Sequence, residues 1–387
     1  MVKTSTIKLA FLQIKKTNHD SITGIICVKI TSWLSIWSIS MVEEIPYLQK
    51  KPGTALVLSG GATKAFYFHL GVLKALQPEN ITSIVGTSAG SVVGAFVASG
   101  ASVDTLITAL YQKKVYVPKF DRWIRTLTSN MLFRPRYRQL TRQTLTMGVS
   151  SLKFIASLPW LINRDILAEA IDRLIHSQQI TSFFDSTAIE NLFKSLLPSA
   201  DFADMEIDLY ITGTALDYRT RAVFNGLYDF ETEEDHFMTD VPIHKAVRAS
   251  SAVPGMFEPV LIKGKYYVDG EIKRTLSADI GVSLADKIII SHTYQPLHSQ
   301  NGHSVRDMGW LNVLRQSTIT MFNERINRWR EFYDEQKLNK KIIWIQPEED
   351  DIDFFLAPEF SFSPEIQRKI IKSGERAALK VMNEVKL

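Results

Sequence analysis

The chain has 387 residues, 45% hydrophobic and 22% charged, a globular composition that excludes a disordered or fibrous polypeptide and allows one large domain or two ordinary ones. Its one cysteine, Cys27, excludes an intramolecular disulfide framework and a cysteine-rich metal cluster. The formal net charge of +4 suits an anionic surface without demanding nucleic acid.

Residues 1–50 read as a weakly ordered or apolar leader. Ile22 to Val42 is apolar enough to pose the membrane question, but Lys29 falls inside it, and a charge within a spanning helix costs about 2.5–3.5 kcal/mol. A signal peptide fits no better, because Lys3, Lys8, Lys15 and Lys16 stretch the basic region and no small-residue cleavage site follows.

From Thr54 the pattern alternates. Thr54-Ala-Leu-Val-Leu-Ser59 is a short apolar run ending in glycines, as in a strand buried on both faces. Lys64 to Leu76 places Phe66, Leu70, Leu73 and Leu76 at helical spacing, closed by Pro78 and Asn80. Ile81 to Val85 is a second strand, and Ser91 to Ser99 a helix of small residues. Further strands are expected at Asp208 to Leu216, Ala222 to Phe224, Tyr266 to Val268, Lys287 to Ser291 and Lys341 to Ile345, with a closing helix over Ile366 to Met382. This order predicts an α/β fold with a central, mostly parallel sheet flanked by helices. One domain over 54–286 is expected, with residues 287–387 adding strands and helices that pack on it.

The segment 113–153 departs from this composition. Lys113, Lys114, Lys119, Arg122, Arg125, Arg134, Arg136, Arg138, Arg142 and Lys153 face a single acid, Asp121, and Trp123, Leu132 and Phe133 are interleaved. A docking surface for an anionic membrane accounts for this, and so does an ordinary solvated helical face. Nucleic acid is not expected, since no binding motif accompanies the charge.

Two glycine-rich turns carry the chemistry. Gly86-Thr-Ser-Ala-Gly90 matches G-x-S-x-G between a strand and a small-residue helix, the setting of a nucleophile elbow with Ser88 as the exposed hydroxyl. The competing reading is a helix N-cap. Upstream, Ser59-Gly-Gly-Ala-Thr-Lys64 is another strand-to-helix turn whose consecutive amides suit an anion. A dinucleotide site is excluded by Ala62 and Ala65, which break the G-x-G-x-x-G spacing, and a P-loop by the glycine spacing before Lys64.

These two motifs, with the helix Gly71-Val-Leu-Lys-Ala-Leu76, the segment Ala246-Val-Arg-Ala-Ser-Ser-Ala-Val-Pro-Gly-Met-Phe-Glu-Pro259 and Tyr267-Val-Asp-Gly270, resemble the patatin-like phospholipase family, bacterial branch, over about Leu56 to Ala285. The resemblance implies a three-layer sandwich and a serine acyl hydrolase acting on lipid or phospholipid acyl esters through a Ser–Asp dyad and an acyl-enzyme, without metal or organic cofactor. It implies Ser88 as nucleophile, Asp269 as base, Gly60, Gly61 and Ala62 around the oxyanion, and Gly86 and Gly90 as the elbow glycines. A cytoplasmic location is expected, with transient, peripheral contact to an anionic membrane through the basic segment 113–153.

The chain departs from the family at three positions. Ala62 and Ala65 stand where glycines are usual, so ordinary backbone angles are expected there, and Glu271 stands where a small residue usually follows Asp269-Gly270. Glu271 either raises the Asp269 pKa by repulsion or points outward. These departures motivate an alternative: a catalytically weak lipid-binding or scaffolding protein of the same fold. A Ser-His-acid triad would need His292 or His298; Asp240, Asp279 and Asp286 are other acids, but none sits in a strand-to-glycine turn. Arg248, Ser250 and Ser251 are expected to shape the wall of the site.

Overall fold

The computed structural model describes residues 44–112, 114–125, 134–135, 182–298, 304–335 and 340–385, and the description below concerns the unit from Glu44 onward. The candidate leader up to residue 43 and most of the basic segment 113–153 lie outside the described residues. Of that segment, Lys114–Val117 and Arg122–Arg125 form an antiparallel hairpin, with Trp123 63% exposed.

A ten-stranded sheet organises the chain. Its strands are β1 (Thr54–Leu58), β2 (Ile81–Thr87), β3 (Asp208–Ala215), β4 (Arg221–Phe224), β5 (Phe230–Glu231), β6 (Asp235–Met238), β7 (Val260–Ile262), β8 (Lys265–Asp269), β9 (Lys287–Ser291) and β10 (Lys341–Ile345). They run in the order β10-β9-β1-β2-β3-β4-β6-β5, with β8 pairing with β7 and β3. The block from β10 to β3 is parallel throughout, and β4 and β8 run antiparallel to β3.

The described helices are α1 (Ala62–Leu76), α2 (Ala89–Ala98), α3 (Val103–Tyr111), α4 (Thr187–Leu196), α5 (Ile243–Ser250), α6 (Ala278–Leu284), α7 (Trp310–Glu335), α8 (Ile352–Leu356) and α9 (Pro364–Val385). All five residues of β1 are buried, and the two-residue repeat of a strand sorts them by face. A Cβ added at Gly281 of α6 would meet Val57, Ile288 and Ala55, whereas one at Gly94 of α2 would meet Ile84 and Leu209. Ile84 pairs with Leu56 and Leu209, so α6 covers one face and α2 the other. This is the helix, sheet, helix layering that a fully apolar central strand requires.

Helix α1 is held from outside by α9. Gly71 and Gly374 form the crossing: a Cβ on Gly71 would stand 2.0 Å from the Ile371 carbonyl oxygen, and one on Gly374 2.2 Å from that of Phe68. The closing helix thereby fixes the helix that begins at the glycine loop. The hairpin of β7 and β8 turns at Lys263 and Gly264, both with positive φ (47° and 78°), as the twist of a two-residue hairpin favours.

Candidate active site

Ser88 joins β2 to α2 with φ 52° and ψ −117°, a strained conformation for a residue with a side chain. The turn closes only because its flanks lack side chains. A Cβ at Gly90 would lie 2.2 Å from the Leu58 carbonyl oxygen, and one at Gly86 2.6 Å from that of Gly90. The Ser88 hydroxyl makes no capping bond to α2, unlike the N-cap reading. Its amide donates to Ser250 Oγ (2.8 Å), and its carbonyl accepts from Ser91 Oγ (2.6 Å).

Asp269 reaches the same place along β3. Strand β2 pairs with β3 only as far as Thr87 opposite Thr212, and β8, running the other way, ends with Asp269 opposite Gly213. The opposite flank of β3 is taken by β4, so β2 and β8 share one flank and meet end to end beside Thr212 and Gly213. Thr87 Oγ1 and Thr212 Oγ1 share a 2.6 Å hydrogen bond at that junction, and a Cβ on Gly270 would lie 2.6 Å from the Thr212 carbonyl oxygen. Ser88 and Asp269 are both buried and line one cavity. Burial lifts the Asp269 pKa to about 6; the Glu271 N–H, donating to Oδ1 at 3.0 Å, and the Ser88 hydroxyl, as a donor toward the carboxylate, pull it back.

The glycine loop differs from expectation at two points. Ala62 has φ 57°, in the left-handed region rather than at ordinary backbone angles, because the chain must turn sharply from Gly61 (φ 128°) into α1; a left-handed residue with a Cβ costs roughly 1–2 kcal/mol. Ala65 lies inside α1, where a helical alanine is unstrained. The Gly60 N–H is already committed, donating to Glu271 Oε1 at 2.7 Å. The N–H groups of Gly61, Ala62 and Ala89 meet no backbone or side-chain acceptor among the described residues, whereas Gly90 N–H donates to Ser59 O at 3.0 Å.

Glu271 points inward. It is buried, its Oε2 accepts from Leu276 N–H at 2.8 Å, and the Tyr294 hydroxyl is a further donor toward it. Burial, then repulsion by Asp269, raises its pKa to about 7.

Among the described residues no histidine lines either cavity at Ser88. His69 is buried behind the loop, with Nε2 2.9 Å from Ser59 O and Nδ1 2.8 Å from Ser291 Oγ, and burial holds its pKa down at about 4. It thus braces the carbonyl that also receives Gly90 N–H. Burial pushes His292 down to about 3, and His298 lines a separate groove with Arg330 and Trp344. The other acids are paired elsewhere: Asp240 with Lys263, Asp279 with Arg221 and Arg274, Asp286 with Lys50. Arg248 turns to Ser186 and Glu190, away from the wall expected of it. Among the described residues no group of histidine, cysteine and acidic side chains is placed to hold a metal ion.

Two cavities meet at Ser88 and share Ala62, Val253 and Phe360. One, of about 630 Å³, is walled by Ile272, Leu311, Leu314, Ile319 and Phe322; Ile272, Leu311 and Leu314 are about half exposed at its rim. The other, of about 90 Å³, lies among Phe66, Val92, Leu110, Ile189 and Phe257. Sequence reasoning missed the α7 wall, although Leu311, Leu314, Arg315, Thr318, Ile319 and Phe322 recur at the three- and four-residue spacing of one helical face. It also missed Tyr294, which no local motif marks.

A family model described as patatin-like phospholipase matches residues 56–281, more than half of the chain. Among curated proteins, the chain is similar to the uncharacterized protein R571 of Acanthamoeba polyphaga mimivirus, 27% identical over 220 residues that cover 56% of this chain and 57% of that protein. The match thus spans little more than half of that relative's length. Among solved structures, similarity is found to VipD from Legionella pneumophila (15% identity, 86% of this chain and 67% of that one, TM-score 0.40). It is also found to the ExoU-SpcU complex from the type III secretion system of Pseudomonas aeruginosa (15% identity, 87% and 52%, TM-score 0.32). The curated relative is viral, so the bacterial placement expected from the motifs is not supported. The family itself is shown: this chain belongs to the patatin-like phospholipases.

Proposed function

We propose that the chain is a serine acyl hydrolase that cleaves fatty-acyl esters of lipids, with Ser88 as nucleophile and Asp269 as base. The observation that carries this reading is the end-to-end meeting of β2 and β8, which brings a strained, uncapped serine and a buried carboxylate together beside unpaired amides in an apolar cavity. As Ser88 Oγ attacks the ester carbonyl carbon, its proton passes to Asp269, and the carbonyl oxygen becomes an oxyanion held by the N–H groups of Gly61, Ala62 and Ala89. Collapse breaks the ester C–O bond, and Asp269 returns the proton to the departing alcohol, leaving an acyl-Ser88. Water then repeats the sequence: Asp269 takes its proton, the acyl carbon is attacked, and the acid leaves as Ser88 regains its hydrogen. A base near pKa 6 is ionised at neutral pH yet still basic enough to accept the proton.

The half-exposed rim suits an acyl tail entering from a lipid surface. Peripheral contact with an anionic membrane through the basic segment 113–153, at a cytoplasmic location, completes the proposal. Among the described residues no helix is long and apolar enough to cross a membrane. The Gly60 N–H bound by Glu271 favours a second reading, a weak hydrolase that chiefly binds lipid. A labelled fluorophosphonate separates the two: capture by the wild type that is lost in Ser88→Ala supports the enzyme, and no capture by the wild type supports the binder. Full esterase activity in Asp269→Asn would remove Asp269 as the base.

A further inference from the structure

We infer that Glu271 is a positioning residue for this hydrolysis: its carboxylate clamps the glycine loop to the segment after Asp269 and so aims the remaining loop amides at the reacting carbonyl. The inference rests on the Ser88–Asp269 reading and deepens it. Each carboxylate oxygen takes one backbone N–H, Oε1 from Gly60 at 2.7 Å and Oε2 from Leu276 at 2.8 Å. An ionised carboxylate, purely an acceptor, satisfies both donors at once, and charge-assisted bonds of this kind are the stronger class. The clamp also sits against the nucleophile. A Cβ placed on Gly60 would be 3.0 Å from Glu271 Cγ, 3.0 Å from Ser88 Cβ and 2.9 Å from Tyr294 Oη.

The clamp has a geometric consequence. With the Gly60 N–H turned onto Glu271, the loop offers the oxyanion the next two amides, and the left-handed turn through Gly61 and Ala62 follows the anchored residue directly. An acid buried next to another buried acid is costly, and a residue that only filled space could be apolar. The groups that face Glu271 are Asp269 at the end of β8 and Tyr294 after β9; Lys64, Arg315 and Glu359 line the same cavity. Burial and Asp269 raise the Glu271 pKa to about 7, so its charge changes near neutral pH beside the base.

Glu271→Gln and Glu271→Ala are assayed with a soluble, monomeric acyl ester over pH 4.5–8.5. Glutamine keeps one acceptor and loses the charge, and alanine loses both anchors. A misplaced oxyanion donor costs on the order of 100-fold, so kcat should fall about tenfold in Glu271→Gln and about 100-fold in Glu271→Ala, with KM within about threefold. In Glu271→Gln the acidic limb of kcat/KM should move to lower pH by about half a unit or more, because the limb then follows Asp269 (about 6) alone and no longer waits for the clamping carboxylate of Glu271 (about 7) to ionise. A residue that merely supports the fold would not move that limb. Wild-type kcat with an unmoved limb in Glu271→Gln overturns the inference, and this holds even if Glu271→Ala does not fold. Loss of activity in Ser88→Ala and Asp269→Asn alongside that result overturns the clamp alone. Wild-type turnover in those two variants removes the site and the clamp together.

Discussion

Replacing Glu271 by glutamine should remove a loss of stability that the wild type undergoes as pH rises. Glu271 moves from an ordinary pKa of 4.5 to about 7 on folding, and Asp269 from 3.8 to about 6, burial being the main cause for both. The folded chain therefore holds both protons more tightly than the unfolded chain. The stability they contribute is full below about pH 4 and is lost as pH rises through 6 and 7. At 1.36 kcal/mol per pKa unit, the loss between pH 5 and 8 is about 2–3 kcal/mol for Glu271 and about 1–2 kcal/mol for Asp269. His69 and His292, depressed to about 4 and 3, work in the opposite direction: the unfolded chain binds their protons, so their contribution rises with pH toward neutrality. They are common to both proteins and cancel in the comparison. In urea titrations at pH 5, 6, 7 and 8 the wild type should lose about 2 kcal/mol of stability relative to Glu271→Gln over the range. Parallel curves for wild type and Glu271→Gln would refute the reasoning, because they would mean that residue 271 titrates alike in the folded and unfolded chains.

Gly90→Ala should prevent folding or destabilise by more than about 3 kcal/mol, since its Cβ would stand 2.2 Å from a β1 carbonyl oxygen and neither backbone can yield; soluble yield and thermal melting check it. Asp279→Asn should cost about 3–5 kcal/mol in a denaturant titration, because Arg221, fully buried between Asp235 and Asp279, would keep its charge with one partner neutralised. Leu314→Asp puts a charge on the rim of the larger cavity. It should lower kcat/KM for a long-chain ester at least about tenfold more than for an acetyl ester, because each methylene denied burial costs about 0.8 kcal/mol; an equal loss on both esters would count against an acyl site there.

Much of the fold was legible because burial leaves few choices. Leu56, Val57 and Leu58 form an apolar run too short for a helix, and a parallel strand covered on both faces is where such a run belongs. Glycines 86 and 90 were equally legible, since both flank a strand-to-helix turn around one serine. The α7 helix was missed because half of its first turns faces solvent: Trp310 is 78% exposed, so its apolar residues do not confine themselves to one buried stripe. The left-handed backbone at Ala62 was unreadable for another reason. Alanine rarely adopts it, and only the need to enter α1 from a glycine already at positive φ imposes it. Glu271 was visible as an oddity, but whether it turned inward depended on Gly60 and Leu276, neither of which announces itself as a hydrogen-bond donor in want of a carboxylate.

What makes the site precise is a strand that carries none of the proposed chemistry. Ser88 and Asp269 lie far apart in sequence, and each sits at the end of its own strand, so a loop between them could not hold their separation. Strand β3 does, by lending Thr212 to the end of β2 and Gly213 to the end of β8. Neighbouring residues of one strand are fixed within about 3.4 Å along the sheet, and the error in the serine–carboxylate geometry is therefore set by the sheet and not by the turns. The Thr214 hydroxyl adds a second tie, donating to the Asp269 carbonyl at 2.9 Å and accepting from Lys273 N–H at 3.1 Å, so the acid's own backbone is held from the same strand. The turns are then free to be strained. Ser88 and Ala62 both occupy positive φ, and that strain persists because the strand before each turn and the helix after it are held in place by the rest of the fold.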